Sequence, residues 1–299
     1  MHLLSMSDLS KQELDRFLVE TGAIKNNPAR YRDSMSDKTL VLLFEKPSTR
    51  TKVSFEVAMV QLGGYPITLD SRSSQISRGE SIGDSARVLS RYTDAIAARV
   101  YMHETLRELA ENSSIPIINA LSNLEHPCQV IADLYTMKEY KGSLNGVKLA
   151  YVGDGNNVCN SLLLGCAMTG VDLSVASPPD YEPDEGILSR AQSLPKSEIK
   201  LYNEPLDAVQ DADFIYTDVW VGMGDESEEE ERLSAFQGYQ VNTQLIKQAK
   251  KDCRVMHCLP AHRGLEITDE VLDSSKSIVW EQAENRLHTQ KAIILELIE

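Results

Sequence analysis

The chain has little positive charge relative to its acidic content, and this balance narrows the classes of protein to which it can belong. Its 299 residues include 30 Lys and Arg against 45 Asp and Glu, which gives a net charge of -15 at pH 7. A nucleic-acid-binding protein is expected to carry a basic face, and no segment of the sequence has that character. The acidity favours solubility and makes any local group of cations stand out.

Three further absences bear on where the protein works. No run of 18 apolar residues occurs, so we expect no membrane span. The N-terminal segment has no basic stretch followed by an apolar core, so we expect no secretory signal. The five cysteines are odd in number and form no CxxC pair, which disfavours a disulfide framework or a zinc ribbon. These features fit a reducing cytoplasm.

Strand-like and helix-like segments alternate along the chain. Short continuous apolar runs, such as TLVLLF at 39–44, are typical of strands covered on both faces, and residues at helical spacing follow them. The alternation predicts an α/β fold with parallel sheets and helices on both faces. We expect two doubly wound domains, covering 1–142 and 143–283, with the active site in the cleft between them.

The segment after the first predicted strand has the composition of an anion site. In open parallel sheets, ligands bind at the carboxyl ends of the strands. Here four residues stand where a helix begins: Ser48, Thr49, Arg50 and Thr51. Free N–H groups at a helix start, three hydroxyls and a guanidinium together favour a phosphate or carboxylate. The Walker pattern of nucleotide-binding loops is absent, and a helix cap with surface cations is the alternative.

Two more strand ends in the first half carry polar side chains. Arg99 ends an apolar strand, where a cation needs an anion, either a substrate or a structural carboxylate. His126 precedes Pro127 at a predicted helix start, with Gln129 in the first turn. His126 can donate to a developing oxyanion and Gln129 can bind an amide, although a loop histidine is more often structural. Together these segments fit a small doubly charged anion that carries an amide or a carbonyl.

The second half carries separate patterns at its own strand ends. Gly153 and Gly155 form a G-x-G pair, but Val158 stands where the dinucleotide fingerprint has its third glycine. Asn157 can instead bind a substrate amine or carboxylate. Asp218 follows another strand and can pair with a substrate ammonium or cap a helix.

Histidines and cysteines occur near two strand ends and raise the possibility of a metal. The pairs are His126 with Cys128 and His257 with Cys258. Neither pair has the spacing of chelating residues on a helix, and apolar burial of the cysteines is the simpler interpretation. We expect no metal and no cofactor.

Taken in order, six segments resemble the motifs of ornithine carbamoyltransferases. They extend from Phe44 to Ala292 and read FEKPSTRTKVSFEVAM, SSQISRGES, EHPCQ, DVWVGMG, MHCLP and AENRLHTQKA. The Ser-Thr-Arg-Thr and His-Pro motifs are common to carbamoyltransferases, whereas H-P-C-Q and H-C-L-P point to the ornithine branch. The resemblance implies transfer of a carbamoyl group from carbamoyl phosphate to the side-chain amine of L-ornithine, giving L-citrulline and phosphate. It places the enzyme in arginine metabolism and amino-acid biosynthesis.

The resemblance also implies how carbamoyl phosphate would be bound. Its phosphate would be held by Ser48, Thr49, Arg50 and Thr51. Its carbonyl oxygen would be contacted by Thr51, Arg99 and His126. Its NH2 group would be held by Gln129 and by the main chain at Cys258 and Leu259. Arg286 would reach the site from a last helix, at about 284–299, which in this family crosses back to the first domain.

The resemblance implies a binding site for ornithine and a quaternary structure as well. Ornithine would be positioned by Asn157, Asp218, Gly222 and Met223, with Cys258 beside its side-chain amine. Gln75 lies in a loop that the family lends to the neighbouring subunit, which implies a homotrimer with shared active sites. We expect no nucleic-acid or membrane partner.

Two positions depart from the family pattern. Lys52 stands where the family usually has a second arginine, which keeps the charge but loses the planar fork. Gly222 replaces the usual serine of a Ser-Met-Gly loop, which removes a hydroxyl but leaves main-chain donors for a carboxylate. Putrescine, which has no carboxylate, and an N-acylated ornithine are therefore the alternative acceptors.

Two other classes of protein are alternatives at this point. An NAD-dependent dehydrogenase is disfavoured by the broken glycine pattern, and a non-catalytic binding protein is disfavoured by the complete set of anion-site residues.

Overall fold

A computed structural model describes residues 1–71, 75–222, 224 and 226–298, which form two compact units. The first unit comprises Met1–Tyr135 and the segment from Asn285 to the C-terminus. The second unit comprises Thr136–Glu284. The domain boundaries expected from the sequence, near residues 142 and 284, stay predictions about independently folding domains.

The first unit contains one parallel sheet of four strands. The strands are β1 (Thr39–Phe44), β2 (Tyr65–Asp70), β3 (Ala95–Arg99) and β4 (Ile117–Leu121), in the spatial order β2-β1-β3-β4. The helices are α1 (Lys11–Asn26), α2 (Thr49–Gln61), α3 (Ile82–Leu89), α4 (His103–Asn112) and the first part of α5 (Pro127–Lys141). Short 3₁₀ turns occupy Met6–Asp8, Pro28–Tyr31 and Gln75–Arg78.

Local sequence signals account for several of these elements. A capping box begins α1, because Ser10 Oγ accepts from the Glu13 N–H and the Glu13 carboxylate accepts from the Ser10 N–H. In β1 the residues from Leu40 to Phe44 are all buried, as expected for a strand covered on both faces. Gly63 follows α2 with a φ of 88°, and a Cβ there would lie 2.7 Å from the Arg32 carbonyl oxygen. A glycine is therefore required where the chain turns into β2.

The second unit contains a parallel sheet of five strands. The strands are β5 (Lys148–Val152), β6 (Asp172–Ala176), β7 (Ile199–Tyr202), β8 (Phe214–Thr217) and β9 (Arg254–His257), in the order β7-β6-β5-β8-β9. The helices are α6 (Asn157–Thr169), α7 (Glu185–Gln192), α8 (Pro205–Ala208), α9 (Glu229–Ala235), α10 (Thr243–Ile246), α11 (Asp269–Leu272) and the start of α12 (Val279–Leu297). A 3₁₀ turn occupies Glu226–Glu228.

The prediction of two parallel-sheet α/β domains is confirmed, with some differences in detail. The last helix belongs to the first unit from Asn285 onward, but it begins at Val279, earlier than the expected start near residue 284. Strands β2 and β7 did not follow from the sequence. Within the described residues, no helix has the length and apolar character needed to cross a membrane.

Candidate active site

In the first unit, the strand order reverses at β1, so the segments that follow β1 and β3 lie side by side. Phe44 and Arg99 are register partners at the ends of these strands. The Glu45 N–H donates to the Arg99 carbonyl at 2.9 Å. A reversal point of this kind is where open parallel sheets bind ligands.

The helix that follows β1 begins with the predicted anion-binding residues. Ser48 caps α2, and its Oγ accepts from the Thr51 N–H at 3.3 Å. Thr49 is exposed and Arg50 is half-buried. Within the described residues Arg50 forms no ion pair, so its guanidinium is available to a ligand. This helix start therefore combines N–H groups and hydroxyls with a cation that has no ion-pair partner among the described residues.

A cleft of about 450 Å³ opens beside this helix start. Ser48 and Thr49 line it together with two lysines, Lys46 and Lys52, and with Asp70. Lys46 is buried, whereas Lys52 is exposed. The lysine that replaces the family's second arginine thus lines the same space as the predicted phosphate-binding hydroxyls.

Arg286, on the part of α12 that belongs to the first unit, contacts Thr51. Its Nη2 donates to Thr51 Oγ1 at 3.0 Å, and both side chains are buried. Because Thr51 Oγ1 accepts this bond, its own hydrogen is left to donate to a ligand. The structure therefore brings the last helix to the predicted anion site.

His126 lies close to two arginines and is neutral. Burial, followed by the charges of Arg286 and Arg99, holds the pKa of His126 well below its usual range. All three side chains are buried. A neutral imidazole has one N–H to donate, which suits a group that stabilises a carbonyl oxygen as negative charge develops on it.

Gln129 is oriented by a buried carboxylate one turn further along α5. Its Nε2 donates to Asp133 Oδ1 at 2.8 Å, and both residues are buried. Because a carboxylate only accepts, the Gln129 Oε1 must be directed away from it. That Oε1 is buried and has no hydrogen-bond partner within the described residues. An acceptor in this state fits an NH2 group of a ligand.

The neighbouring Cys128 has a structural explanation. Burial raises the pKa of its thiol to about 12, and the thiol donates to the Asn119 carbonyl at 3.3 Å. It is therefore neither a nucleophile nor a metal ligand at neutral pH.

In the second unit, the strand order reverses at β5, and the carboxyl ends of β5, β8 and β9 lie together. Thr217 Oγ1 donates to the Val152 carbonyl at 2.7 Å, and Thr217 is the register partner of His257. This arrangement places the residue after β8, Asp218, next to the residue after β9, Cys258.

Asp218 is a buried carboxylate that accepts from three donors. Cys258 Sγ donates to Oδ1 at 2.8 Å, Asn156 Nδ2 donates to Oδ2 at 2.8 Å, and the Val219 N–H donates to Oδ1 at 2.8 Å. All three donors are neutral, so the negative charge of Asp218 is not cancelled by them. A buried carboxylate of this kind can bind a ligand ammonium or amine.

Asn156, which the sequence did not single out, is the asparagine that contacts Asp218. Its Oδ1 caps α6 by accepting from the Val158 and Cys159 N–H groups at 2.9 and 3.2 Å. The candidate from the sequence, Asn157, is the half-buried first residue of α6. The preference of asparagine for the position before a helix identifies Asn156 once the start of α6 is known.

The G-x-G pair after β5 is explained by packing of the chain on itself. A Cβ at Gly155 would lie 2.2 Å from the Pro183 nitrogen and 2.3 Å from the Glu182 carbonyl carbon. The Gly155 N–H also donates to the Tyr181 carbonyl at 2.8 Å. Gly155 is required by the approach of this backbone, so the pair needs no dinucleotide to account for it.

The loop after Asp218 is anchored by Arg232. Its Nη1 donates to the Trp220 carbonyl and to Asp154 Oδ2, each at 3.1 Å. Gly222 is half-buried, and Met223, the other loop residue expected to bind ornithine, lies outside the described residues. The acidic residues 228–231 are exposed, as expected for a solvated face.

Within the described residues, the ligand atoms of Asp218, His257 and Cys258 form a group compact enough for a metal ion, lying within 4.8 Å of one another. Both ring nitrogens of His257 are engaged, however. Nδ1 accepts from the Leu259 N–H at 2.8 Å, and Nε2 lies 2.9 Å from Glu266 Oε1. A metal would have to displace one of these bonds, and hydrogen bonding accounts for the group as it stands.

Gln75, which the resemblance assigns to a neighbouring subunit's site, is exposed at the start of the 3₁₀ turn Gln75–Arg78. Sequence reasoning missed three further residues that shape the two sites: Asp133, Arg232 and Glu266. Of these, Asp133 alone has a local signal, because it follows Gln129 at the i,i+4 spacing of a helix.

Two family models cover most of the chain. The model described as the aspartate/ornithine carbamoyltransferase carbamoyl-P binding domain matches residues 1–139. The model described as the Asp/Orn binding domain of the same family matches residues 145–297. The chain therefore belongs to the aspartate/ornithine carbamoyltransferase family.

Relatives across the full length identify the branch of this family that the chain resembles. A protein from Archaeoglobus fulgidus named ornithine carbamoyltransferase is 53% identical over 99% of this chain and 97% of its own length. A protein of the same name from Listeria monocytogenes is 50% identical over 99% of this chain and 95% of its own length. The predicted resemblance to ornithine carbamoyltransferases is confirmed.

Solved structures agree with this assignment. The ornithine carbamoyltransferase from Pyrococcus furiosus is 47% identical, with a TM-score of 0.94 over 99% of this chain and 96% of that chain. The anabolic ornithine carbamoyltransferase from Campylobacter jejuni is 39% identical, with a TM-score of 0.94 over 99% and 98%.

Proposed function

We propose that this chain is an enzyme that transfers the carbamoyl group of carbamoyl phosphate to the side-chain amine of L-ornithine, giving L-citrulline and phosphate. The observation that carries the proposal is the likeness, at 53% identity over 99% of the chain, to a protein named ornithine carbamoyltransferase. The contacts at the two strand-order reversals support it, because they supply groups for each substrate.

The first unit is proposed to bind carbamoyl phosphate. Ser48, Thr49, Arg50 and Thr51 hold the phosphate at the start of α2, where N–H groups and the helix dipole favour an anion. The availability of Arg50 and of the Thr51 hydroxyl hydrogen supports this role. Arg286, held against Thr51, adds a second cation at the same place.

The carbamoyl group is proposed to be held by its oxygen and its nitrogen separately. Thr51, Arg99 and the neutral His126 donate to the carbonyl oxygen. One such donor is typically worth about 3 kcal/mol in the transition state. The buried Oε1 of Gln129 accepts from the NH2 group, as the Asp133 contact favours. The main chain at Cys258 and Leu259 is a further proposed acceptor for it.

The second unit is proposed to bind ornithine. Asp218 accepts from the side-chain amine, with Cys258 beside it, and Asn157, Gly222 and Met223 position the rest of the amino acid. The uncancelled charge of Asp218 supports the amine role. Asn156 joins this set, because its amide fixes one Asp218 oxygen.

The chemical step follows from these roles. The neutral amine attacks the carbamoyl carbon, and a tetrahedral intermediate forms. The bond between this carbon and the phosphate oxygen then breaks, and the attacking nitrogen loses a proton to the departing phosphate. Ornithine's side-chain amine is protonated at neutral pH, because amines of this kind have a pKa of about 10. Turnover should therefore rise from neutral pH into the alkaline range, and a flat profile there would contradict this step.

Product formation with different acceptors tests the proposed function. Purified protein is incubated with carbamoyl phosphate and one of four acceptors: L-ornithine, putrescine, N-acetyl-L-ornithine or L-aspartate. We expect citrulline from ornithine at a kcat/KM well above that for the other three. Faster transfer to putrescine or to the acylated amine would assign the enzyme to that acceptor instead. Absence of any carbamoylated product would refute the transferase assignment.

We further propose that the protein forms a homotrimer whose sites are shared through Gln75. The exposed position of Gln75 supports this, as do exposed apolar side chains on α2 and the edge strand β2, which pack against each other. These side chains are Val53, Val60, Tyr65 and Ile67. Together they offer a surface of the kind that association covers.

Mixing two inactive variants tests the shared site. Subunits carrying Gln75→Ala and subunits carrying Arg50→Ala are denatured together, refolded and assayed. If each site takes Gln75 from a neighbour, about a quarter of the sites in randomly mixed trimers are intact, so activity should recover toward that fraction. No recovery beyond the two separate variants, in a mixture that light scattering shows to be trimeric, would contradict sharing.

The proposed location is the cytoplasm. The five cysteines are thiols rather than disulfides, and all but Cys258 are buried. Thiols of this kind are typical of proteins kept in a reducing compartment.

A further inference from the structure

A fully buried histidine and carboxylate lie behind the Cys258–Leu259 turn and have no role in the proposed reaction so far. His257 is the last residue of β9, and Glu266 follows the turn. The side chains of both are 0% exposed, and His257 Nε2 lies 2.9 Å from Glu266 Oε1. Within the described residues, no lysine or arginine lies within ion-pair distance of Glu266, and its side-chain partner is this imidazole. Burying a carboxylate away from a fixed positive charge costs free energy, so packing alone does not explain Glu266.

The contacts around His257 fix the position of its proton. The Leu259 N–H donates to Nδ1 at 2.8 Å, so Nδ1 carries no hydrogen. The proton is therefore on Nε2, from which it is donated to Glu266 Oε1. The same Glu266 oxygen also accepts from the main-chain N–H of His262 at 2.6 Å. The main-chain N–H of His257 donates to Gln282 Oε1 at 2.9 Å. The imidazole is held from both sides as one neutral tautomer.

The Nε2-protonated form of His257 stabilises a strained backbone conformation at Leu259. Leu259 has a φ of 58°, in the left-handed region that residues with a side chain rarely adopt. Its N–H is satisfied by the His257 ring, which stabilises the turn. If the proton moved to Nδ1, two donors would face each other and the bond would be lost. The strain therefore depends on which nitrogen of His257 is protonated.

The same turn carries groups of the proposed active site. Its main chain at Cys258 and Leu259 is proposed to accept from the carbamoyl NH2, and the Cys258 thiol donates to Asp218 at 2.8 Å. Glu266 is assigned no contact with either substrate in the proposed reaction. A shift of the Leu259 peptide would, however, misplace groups that must meet the reacting atoms to within a fraction of an ångström.

We infer that Glu266 is a positioning residue for carbamoyl transfer: it keeps His257 as the Nε2-protonated tautomer, and the His257 Nδ1 in turn fixes the Leu259 peptide. The inference rests on the proposed function and extends the machinery of the same site.

Two substitutions at His257 separate positioning from simple stability. In His257→Asn the amide oxygen takes the place of Nδ1 and keeps the bond to the Leu259 N–H, but it loses Glu266. In His257→Gln the amide reaches toward Glu266 and leaves no acceptor at the Nδ1 position. We expect kcat to fall about 100-fold in His257→Gln, and much less in His257→Asn, at similar melting temperatures and with KM for ornithine changed less than kcat. Equal kinetic losses in the two variants, or none in either, would overturn the inference.

Nitrogen NMR reads the tautomer without reference to activity. The chain has six histidines, so ¹⁵N-histidine labelling gives a small set of ring signals, and the one lost in His257→Asn is that of His257. We expect a protonated Nε2 and an unprotonated Nδ1 in the native protein. A protonated Nδ1 in the native protein would refute the inference even if every kinetic result agreed with it.

Removal of the carboxylate completes the test. In Glu266→Gln the carboxamide can donate to Nε2, so we expect some His257 rings to carry the proton on Nδ1 and kcat to fall by about tenfold or more. Glu270→Gln, at an exposed position on α11, is the matched charge control and should keep native kinetics. If Glu266→Gln leaves both the tautomer and kcat unchanged while the native protein makes citrulline, the inference about Glu266 is refuted and the proposed function is not. If the native protein makes no citrulline, the proposed function itself is refuted.

Discussion

The two strand-order reversals of this molecule follow the same topology but collect opposite charges. At the reversal in the first unit, Arg99 and Arg286 are buried near a neutral His126. At the reversal in the second unit, the central charge is the Asp218 carboxylate, which neutral donors surround. The topology thus determines where a ligand binds, whereas the side chains determine its charge.

The helices that start at the two reversals differ in the same sense. Ser48 caps α2 through one bond, to the Thr51 N–H. Asn156 caps α6 through two bonds and so uses N–H groups that an anion would otherwise accept from. The start of α2 therefore suits an anion. At the start of α6, the Oδ1 of Asn156 caps the helix and its Nδ2 donates to Asp218.

Loss of the charge at the α2 start should have the largest effect. Arg50→Ala removes a cation that forms no ion pair in the part of the chain that the structure describes, so kcat/KM for carbamoyl phosphate should fall about 1,000-fold. Steady-state citrulline assays at varied carbamoyl phosphate measure this. Arg91→Ala, at an exposed position of the same unit, is the control and should have no effect. Near-normal kinetics for Arg50→Ala would remove the phosphate site from α2.

Neutralising the second reversal should affect the other substrate. Asp218→Asn keeps the shape of the side chain but removes its negative charge. The new amide NH2 group also faces N–H or S–H donors that the carboxylate accepted from. We expect kcat/KM for ornithine to fall about 100-fold, the scale of one charged hydrogen bond. Affinity for carbamoyl phosphate, measured by calorimetry, should stay within about twofold of native, because an effect this size corresponds to well under 1 kcal/mol. A large loss of carbamoyl phosphate affinity would contradict the assignment of opposite charges to opposite substrates.

The Gln129 amide distinguishes binding of the carbamoyl nitrogen from binding of the phosphate. Gln129→Met preserves volume but removes the buried acceptor, which should lower kcat by about 30-fold, or about 2 kcal/mol. Asp133→Asn should cost only a few-fold, because the new amide can turn its oxygen toward Gln129 Nε2 and keep the orientation. Rapid kinetics at saturating substrates measure both. An Asp133→Asn defect that exceeds the Gln129→Met defect would show that the carboxylate acts in another way.

The smallest effect concerns the dependence of stability on pH. The folded-state pKa of His126 is lowered, so below the usual histidine value of 6.5 the unfolded chain takes up a proton that the folded protein does not. Stability from this group is therefore complete above pH 6.5 and falls as the pH decreases, at up to about 1.4 kcal/mol per pH unit.

Urea unfolding of the native protein and of His126→Asn measures this contribution. His2 and His103 also have lowered pKa values, mainly because of burial, but they are present in both proteins. The free energy of unfolding of His126→Asn should therefore fall less steeply between pH 6.5 and pH 5. Parallel curves for the two proteins would mean that His126 is not buried in its neutral form.

The sequence predicts most of the residues at the two strand-order reversals, whereas strands β2 and β7 were missed for physical reasons. The anion-site motif, Arg99, His126 and Asp218 all lie at or after the ends of apolar strands, and parallel-sheet geometry alone places such residues at the carboxyl edge of their own sheet. Strand β2 was missed because it is an edge strand with exposed alternate residues and Pro66, which a central strand does not tolerate. Strand β7 is also at an edge and is partly exposed.

The residues that orient others were harder to predict than the residues they orient. Glu266 acts through His257 across a turn, and Arg232 acts on Asp154, which is 78 positions earlier in the chain. No periodicity connects such partners, because tertiary folding alone brings them together. Asn156 was missed for a different reason, since two adjacent asparagines are equally good helix caps until the helix start is known.

Helix α12 gives the molecule a particular order of assembly during synthesis. The residues of α12 that bond to the rest of the first unit, Asn285, Arg286 and Lys291, follow the second unit in the chain. Their partners Lys25, Thr51 and Gln61 precede the second unit. The nascent first unit therefore acquires Arg286 only after Thr136–Glu284 has been translated. A chain terminated within the second unit would lack this arginine beside Thr51, so the fold makes synthesis of the second unit a condition for completing the proposed carbamoyl phosphate site.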